Sequence, residues 1–240
     1  MLKVLYILYQ YLFVFPVFFL ITVFTSLFTI CTTRWKNSEF VHREQQFWSK
    51  SIFWLLGIRV TVDGLENIEP GKSYIFVANH QSMLDVWAIY GWLPVIFKWM
   101  MKKELEKVPF IGSGCKAAGH IFVDRSNPRA AVRSMKDIEH ALQGGVCTVI
   151  FPEGTRSKTG QMGPFKRGAF MIAEHVDRPV VPISLSGCYE AWPVGRYYAT
   201  RTHVHMHVGA PIDIKEYKDA EPGTAMEVVR AAVAAGIQTK

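Results

Sequence analysis

The sequence predicts an α/β fold: a central, mostly buried sheet covered by helices on both faces, with an N-terminal two-helix membrane-binding segment. Three observations carry this expectation. From Ile58 onward, short apolar runs alternate with helix-length runs, the pattern of strands laid side by side beneath helices. The runs Ser73-Tyr-Ile-Phe-Val-Ala-Asn79 and Val146-Cys-Thr-Val-Ile-Phe151 are almost continuously apolar, as in strands covered on both faces. Val4 to Thr33 contains no charged side chain, and about 20 apolar residues suffice to span a bilayer as a helix.

The apolar segment is too long for a signal-peptide core and ends in Thr32-Thr33-Arg34-Trp35-Lys36 without a small-residue cleavage pattern, so it is expected to stay attached. Pro16 should interrupt its helix. Thr22, Thr25, Ser26, Thr29, Thr32 and Thr33 recur at three- and four-residue spacing, a stripe suited to another helix or to headgroups. Phe40, Phe47, Trp48, Ile52, Leu55 and Leu56 fall on one face of a second helix, with Arg43 and Lys50 on another. Two arrangements fit: a pair of helices lying in or against one leaflet, or one transmembrane helix followed by a linker.

In the rest of the chain, Ile58 to Val62 reads as a strand ending at Asp63-Gly64, a turn signal. The strand 73–79 leads into a helix from Met83 to Trp92. Val95 to Met100 and Ile121 to Val123 read as strands, and Pro128 to Gln143 as a helix stopped by Gly144-Gly145. Further strands are expected at 146–151, 180–185 and 202–208, with helices at Phe165–Val176 and Thr224–Ala235. Residues 1–57 form the anchoring helices and 58–240 one α/β domain on this reading, and 240 residues are ample for a sizeable core.

The formal net charge is +7 and the pI about 9.2. No dense Lys/Arg block, RNA-binding signature or zinc spacing accompanies the charge, so nucleic acid is not an expected partner. A hydrophobic end beside a basic domain points instead to an anionic membrane surface. Cys31, Cys115, Cys147 and Cys188 lie far apart with no C-x-x-C pair, which fits a reducing compartment.

Four blocks carry chemical interest. Asn79-His-Gln-Ser-Met-Leu-Asp85 follows a strand. Ser82 and Asp85 make a capping-box pattern, while His80 stands at a strand-to-helix turn, where α/β proteins place chemistry. The two roles are compatible. Phe151-Pro-Glu-Gly-Thr-Arg-Ser157 also follows a strand, and Gly154 permits close backbone approach. Lys166 and Arg167 add positive charge at a helix start. The third block is Lys102-Lys-Glu-Leu-Glu-Lys-Val-Pro-Phe-Ile-Gly112 and the fourth Val181-Pro-Ile-Ser-Leu185.

In this order, the blocks NHxxxxD, KxELxxxPxxG, FPEGTRS and VPI resemble those of the 1-acyl-sn-glycerol-3-phosphate acyltransferases (lysophosphatidate acyltransferases), over roughly residues 58 to 215. The resemblance implies His80 as general base and Asp85 as its orienting partner. It implies acceptor and phosphate contacts from Glu153, Gly154, Thr155 and Arg156, with Lys102 and Lys166 adding charge. The chemistry is direct acyl transfer from acyl-CoA or acyl-carrier protein to lysophosphatidate; no G-x-S-x-G elbow for an acyl-enzyme occurs. No metal or other cofactor is implied. Membrane lipids are the further partners, and the place is the cytoplasmic face of the inner (plasma) membrane.

Alternatives are a sister enzyme for another lyso-lipid, such as lyso-ornithine lipid, or an inactive lipid-binding protein. His203, His205 and His207 should share one strand face, but no cysteine or carboxylate accompanies them nearby in the sequence. Arg125 could assist phosphate binding or simply form a surface ion pair.

Overall fold

The computed structural model describes residues 1–33, 38–123, 146–167, 170–171, 173 and 178–238. The expected helix 128–143 and Arg125 lie outside them.

Among the described residues seven strands form one sheet, in the order β1-β7-β6-β2-β5-β3-β4. They are β1 (Arg59–Asp63), β2 (Ile75–Ala78), β3 (Phe97–Lys102), β4 (Ile121–Val123), β5 (Cys147–Ile150), β6 (Val180–Ser186) and β7 (His203–Val208). Every expected strand is present, with ends displaced by two residues at most. Neighbours run parallel except β6 and β7.

Side chains alternate across the sheet and split the core in two. Phe76 and Ala78 join Ile52, Leu56, Leu84 and Ile89 on one face. Ile75 and Val77 join Phe165, Phe170, Val229 and Val233 on the other. β2, β5 and β6 are buried at every residue, which explains their lack of polar alternation. Helix α4 (Leu84–Trp92) covers the first face, and the C-terminal helix Thr224–Ala235 covers the second. The mixed α/β architecture and the two covered faces are as the sequence predicts.

The N-terminal helices contribute to the first layer directly. Helix α1 (Leu2–Tyr9) passes through a π-helical turn (Gln10–Val14) into α2 (Phe15–Thr32). Pro16 has no N–H and its ring crowds the preceding turn. The helix widens there, with Phe15 N–H donating to Gln10 C=O, and continues. The turn also presents Gln10, buried, to Ala199: its amide donates to Ala199 C=O at 3.0 Å and accepts from Ala199 N–H at 2.7 Å.

The hydroxyl stripe meets other helices, as expected of it. Trp48 Nε1 donates to Thr22 Oγ1 at 2.9 Å. Ser26 Oγ donates to Phe110 C=O at 2.5 Å. Thr29 Oγ1 lies 3.3 Å from Glu44 Oε1. The opposite side of the same helix leaves Phe19, Leu20, Phe24, Leu27 and Ile30 exposed.

Helix α3 (Ser38–Leu56) corrects one expectation. Its buried face runs through Val41, His42, Gln45, Ser49, Ile52, Phe53 and Leu56, whereas Phe40 and Phe47 are exposed. Packing against α4 selects a face whose first half is polar, which a hydrophobicity pattern alone does not reveal.

The sheet has a switch point. From β2 the chain runs through α4 on one face to β3, beyond β5. The helical residues Phe170 and Ala173, between β5 and β6, pack on the other face, and β6 lies beyond β2. Between the carboxyl ends of two such strands the connections diverge and leave a crevice.

Candidate active site

The crevice brings two sequence blocks to one level. Val77 pairs with Ile150, so His80 and Glu153 each follow three residues beyond that pair. Asn79 secures the β2 end to β6. Its side-chain amide donates to Leu185 C=O at 2.9 Å and accepts from Leu185 N–H at 2.8 Å.

Asp85, in the first turn of α4, is fully buried. Its Oδ2 accepts from Ser82 N–H at 2.7 Å and Gln81 N–H at 2.5 Å, and sits 2.9 Å from His80 Nδ1. Ser82 Oγ accepts from Leu84 N–H at 3.2 Å. The reciprocal cap expected at Ser82 and Asp85 and the His–Asp pair therefore coexist on one carboxylate. A carboxylate accepts only, so Nδ1 carries the proton and Nε2 is left with its lone pair. The His80 side chain is 15% exposed. Behind Asp85, burial first and the carboxylate second hold the Cys188 thiol well above its ordinary range.

The second block is tied to the first through backbone atoms. Ser157 N–H donates to His80 C=O at 2.8 Å, which places Arg156 beside the His80 loop. Glu153, 5% exposed, accepts from His80 N–H at 2.7 Å and from Gly163 N–H at 2.8 Å. Burial pushes its carboxyl above the ordinary range, opposed by these two donors. Each of its oxygens thus accepts one backbone N–H, and the carboxylate joins the two loops.

Gly154 adopts φ +71°, and a Cβ there would meet Lys166 Nζ at 3.2 Å. That brings Lys166, itself exposed, to the turn. Thr155 is exposed and Arg156 half-buried.

The third block is more peripheral. Lys102 ends β3 on the same side of the sheet, but it is 60% exposed and pairs with Glu104 at 3.0 Å. Gly112, buried, closes that block where a Cβ would lie 2.1 Å from Glu106 C=O. Only glycine fits.

His203, His205 and His207 share one face of β7, as expected, while Val204 and Met206 face the core. His205 Nε2 and His207 Nδ1 lie 3.2 Å and 3.1 Å from Asp63 Oδ1, and His203 Nε2 lies 2.9 Å from Thr61 Oγ1. Asp63 is the carboxylate that sequence proximity did not supply; β1–β7 pairing brings it there. Among the described residues no cluster of three such groups is placed to hold a metal ion.

A sequence profile described as acyltransferase matches residues 59–186. The chain belongs to the acyltransferase family. This family member is 32% identical over 183 residues, 76% of its length and 59% of the relative's, to a 1-acyl-sn-glycerol-3-phosphate acyltransferase of Cocos nucifera. It is 37% identical over 158 residues, 65% of its length and 56% of the relative's, to 1-acyl-sn-glycerol-3-phosphate acyltransferase alpha of Homo sapiens. The chain thus spans less than two thirds of these curated relatives. The crystal structure of the 1-acyl-sn-glycerophosphate acyltransferase PlsC from Thermotoga maritima superposes with TM-score 0.81 at 28% identity, covering 98% of this chain and 99% of that one.

Sequence reasoning about this acyltransferase passed over Phe151, whose ring stacks on His80 at 4.0 Å between centroids. The only signal available was its place at the end of a strand beside Pro152 and Glu153.

Proposed function

We propose that the chain transfers a fatty acyl group from a thioester donor, acyl-CoA or acyl-carrier protein, to the sn-2 hydroxyl of lysophosphatidate, giving phosphatidate. The observation that carries this is the pairing of His80 with Asp85 beside the loop that holds Arg156. His80, bonded to buried Asp85, leaves Nε2 free, and Arg156 stands one residue from the segment that clasps the His80 carbonyl.

An alcohol scarcely ionises at neutral pH, whereas an imidazole can accept its proton during attack. His80 Nε2 takes the hydroxyl proton as the acceptor oxygen attacks the thioester carbonyl. The tetrahedral intermediate collapses, the carbon–sulfur bond breaks, and the imidazolium returns its proton to the departing thiolate. Asp85 holds the tautomer and steadies the imidazolium. Arg156, with no carboxylate partner among the described residues, supplies a planar fork for the acceptor phosphate. Lys166 adds charge beside Gly154. Glu153 serves as the brace between the two loops, and Thr155 borders the acceptor. Lys102 acts at longer range. Holding hydroxyl, thioester and base together is worth roughly 7–11 kcal/mol at the favourable end.

Residues 1–57 are assigned to membrane anchoring and 58–240 to catalysis, at the cytoplasmic face of the inner membrane. Leu2–Thr32 is long and apolar enough to cross a membrane by length and composition. Its exposed apolar side supports contact with lipid, and all four cysteines are free.

The deciding experiment supplies purified full-length protein with acyl-CoA or acyl-carrier protein and a panel of lyso-acceptors. Product from lysophosphatidate is expected. Preference for a lyso-ornithine lipid or another lysophospholipid would reassign the acceptor, and no product from any pairing would overturn the enzyme reading.

A further inference from the structure

We propose that Phe151 is a positioning residue for His80, fixing the plane of the imidazole and favouring the imidazolium formed during acyl transfer. The proposal rests on the reading of His80 as general base. Asp85 alone does not define the ring, because a single hydrogen bond at Nδ1 leaves rotation about its own axis open. The Phe151 ring closes that freedom: it lies 4.0 Å from the imidazole between centroids, with 14° between planes. Trp99 stacks on Phe151 in turn, at 5.5 Å and 17°.

This backing is firm. Trp99 is buried, meets Phe97 edge-on at 5.3 Å, stacks with Tyr90 at 6.2 Å, and donates its backbone N–H to His120 Nδ1 at 3.3 Å. The imidazole thus rests on a three-ring ladder rooted in the core on β3, β5 and α4.

Orientation is half of the effect. An aromatic face carries negative quadrupolar charge, so it attracts a cation more than a neutral ring. His80 is neutral before attack and cationic once it has taken the acceptor's hydroxyl proton. An interaction that strengthens along that coordinate lowers the barrier, whereas one equal in both states does not. The titratable and charged groups around His80 and the ladder are Asp85 and Tyr90 on α4, Glu153 at the His80 N–H, Arg156 in the adjoining loop, Cys188 beside Asp85, and His120 beyond Trp99. Replacing Phe151 by an aliphatic chain leaves all six in place and removes only the aromatic face.

The test uses the full chain, lysophosphatidate and an acyl-CoA, with pH–rate profiles for wild type, Phe151→Leu and Phe151→Tyr. Phe151→Met replaces Phe151→Leu if the latter does not accumulate as folded protein. In the aliphatic variant the acid limb of kcat/KM should move to lower pH by about 0.5, and kcat should fall about 10-fold with acceptor KM nearly unchanged. Phe151→Tyr should restore both. The His80 Cε1–H proton resonance should move downfield in the aliphatic variant and not in Phe151→Tyr, as a ring-current effect is lost or kept. Superimposable acid limbs for wild type and the aliphatic variant, or equal damage in both variants, overturn the proposal. Near-normal turnover by His80→Ala removes the base assignment itself and the proposal with it. That failure is distinct, because the stacking signature in wild type would survive it.

Discussion

His80 and the pair His42 and His120 are the same side chain in two opposite settings. His80 stands just beyond the carboxyl end of β2 with a buried carboxylate at Nδ1 and an aromatic ring on its face. His42, on α3, and His120, just after α5 (Ile111–Ala117), lie among Tyr90, Phe97 and Trp99, and no carboxylate pairs with either among the described residues. Burial, followed by the nearby Lys98 ammonium, holds His42 at about 4. Burial, then Lys98 and His42, holds His120 at about 3. Both are neutral packing groups at any ordinary pH. What sets His80 apart is therefore a carboxylate bonded at Nδ1 together with a second nitrogen that no protein group holds among the described residues. The other two lack the carboxylate.

Mutations can break or sharpen this contrast. The largest effect is expected at the carboxylate-paired site. His80→Ala or Asp85→Asn should lower kcat by ~10²–10⁴, measured by product formation from lysophosphatidate, with the thermal unfolding curve little changed for His80→Ala. Next, Arg156→Ala should raise the acceptor KM about 10- to 100-fold with a smaller change in kcat. An unchanged KM would place the phosphate elsewhere.

Glu153→Gln tests the brace. Glutamine offers one acceptor oxygen where Glu153 uses two, so one of the His80 and Gly163 N–H bonds is lost or weakened. Activity should fall about 10-fold, and hydrogen exchange at the His80 and Gly163 amides should quicken. Exchange rates left as in wild type would show that the two loops are joined by other means.

The two buried histidines should answer in stability rather than in rate. Their folded-state values lie below that of an unfolded histidine, so the unfolded chain binds more protons as pH falls. The stability they contribute is complete above about pH 6.5 and is lost progressively as pH drops towards the values of 4 and 3. Each should contribute roughly 3–5 kcal/mol to that loss once the pH is below both values. Denaturant melts of His42→Gln and His120→Gln across this range should show a flatter slope than wild type. A slope unchanged in both variants would mean that neither group is held neutral.

The smallest effect is expected at Lys102→Ala. The side chain is 60% exposed and already paired with Glu104 at 3.0 Å, and solvent-exposed pairs contribute little. Acceptor KM should change by less than about 3-fold; a larger rise would bring Lys102 into direct contact with the phosphate.

Local patterns in the chain determined much of this protein. Buried strands such as β2 and β5 announce themselves by unbroken apolar runs, the final helix by its alanines, and the charge-free stretch from Val4 to Thr33 by its composition. The contact between His80 and Asp85 was legible because the two sit five residues apart where a strand gives way to a helix, and Arg156 was a candidate because it follows another strand. These features depend on neighbours a few residues away.

Pairings between distant segments were decided only in three dimensions. The β2–β5 register set Glu153 level with His80 and gave its carboxylate two backbone N–H donors from separate loops. β1–β7 pairing delivered Asp63 to His205 and His207. Packing of α3 on α4 chose a partly polar face over the more hydrophobic one, and Phe151 found His80 across adjacent strands. The physical reason is common to all four: a sequence pattern records what each side chain prefers, whereas the partner that satisfies it is selected by the sheet order and by which helices must share a buried layer.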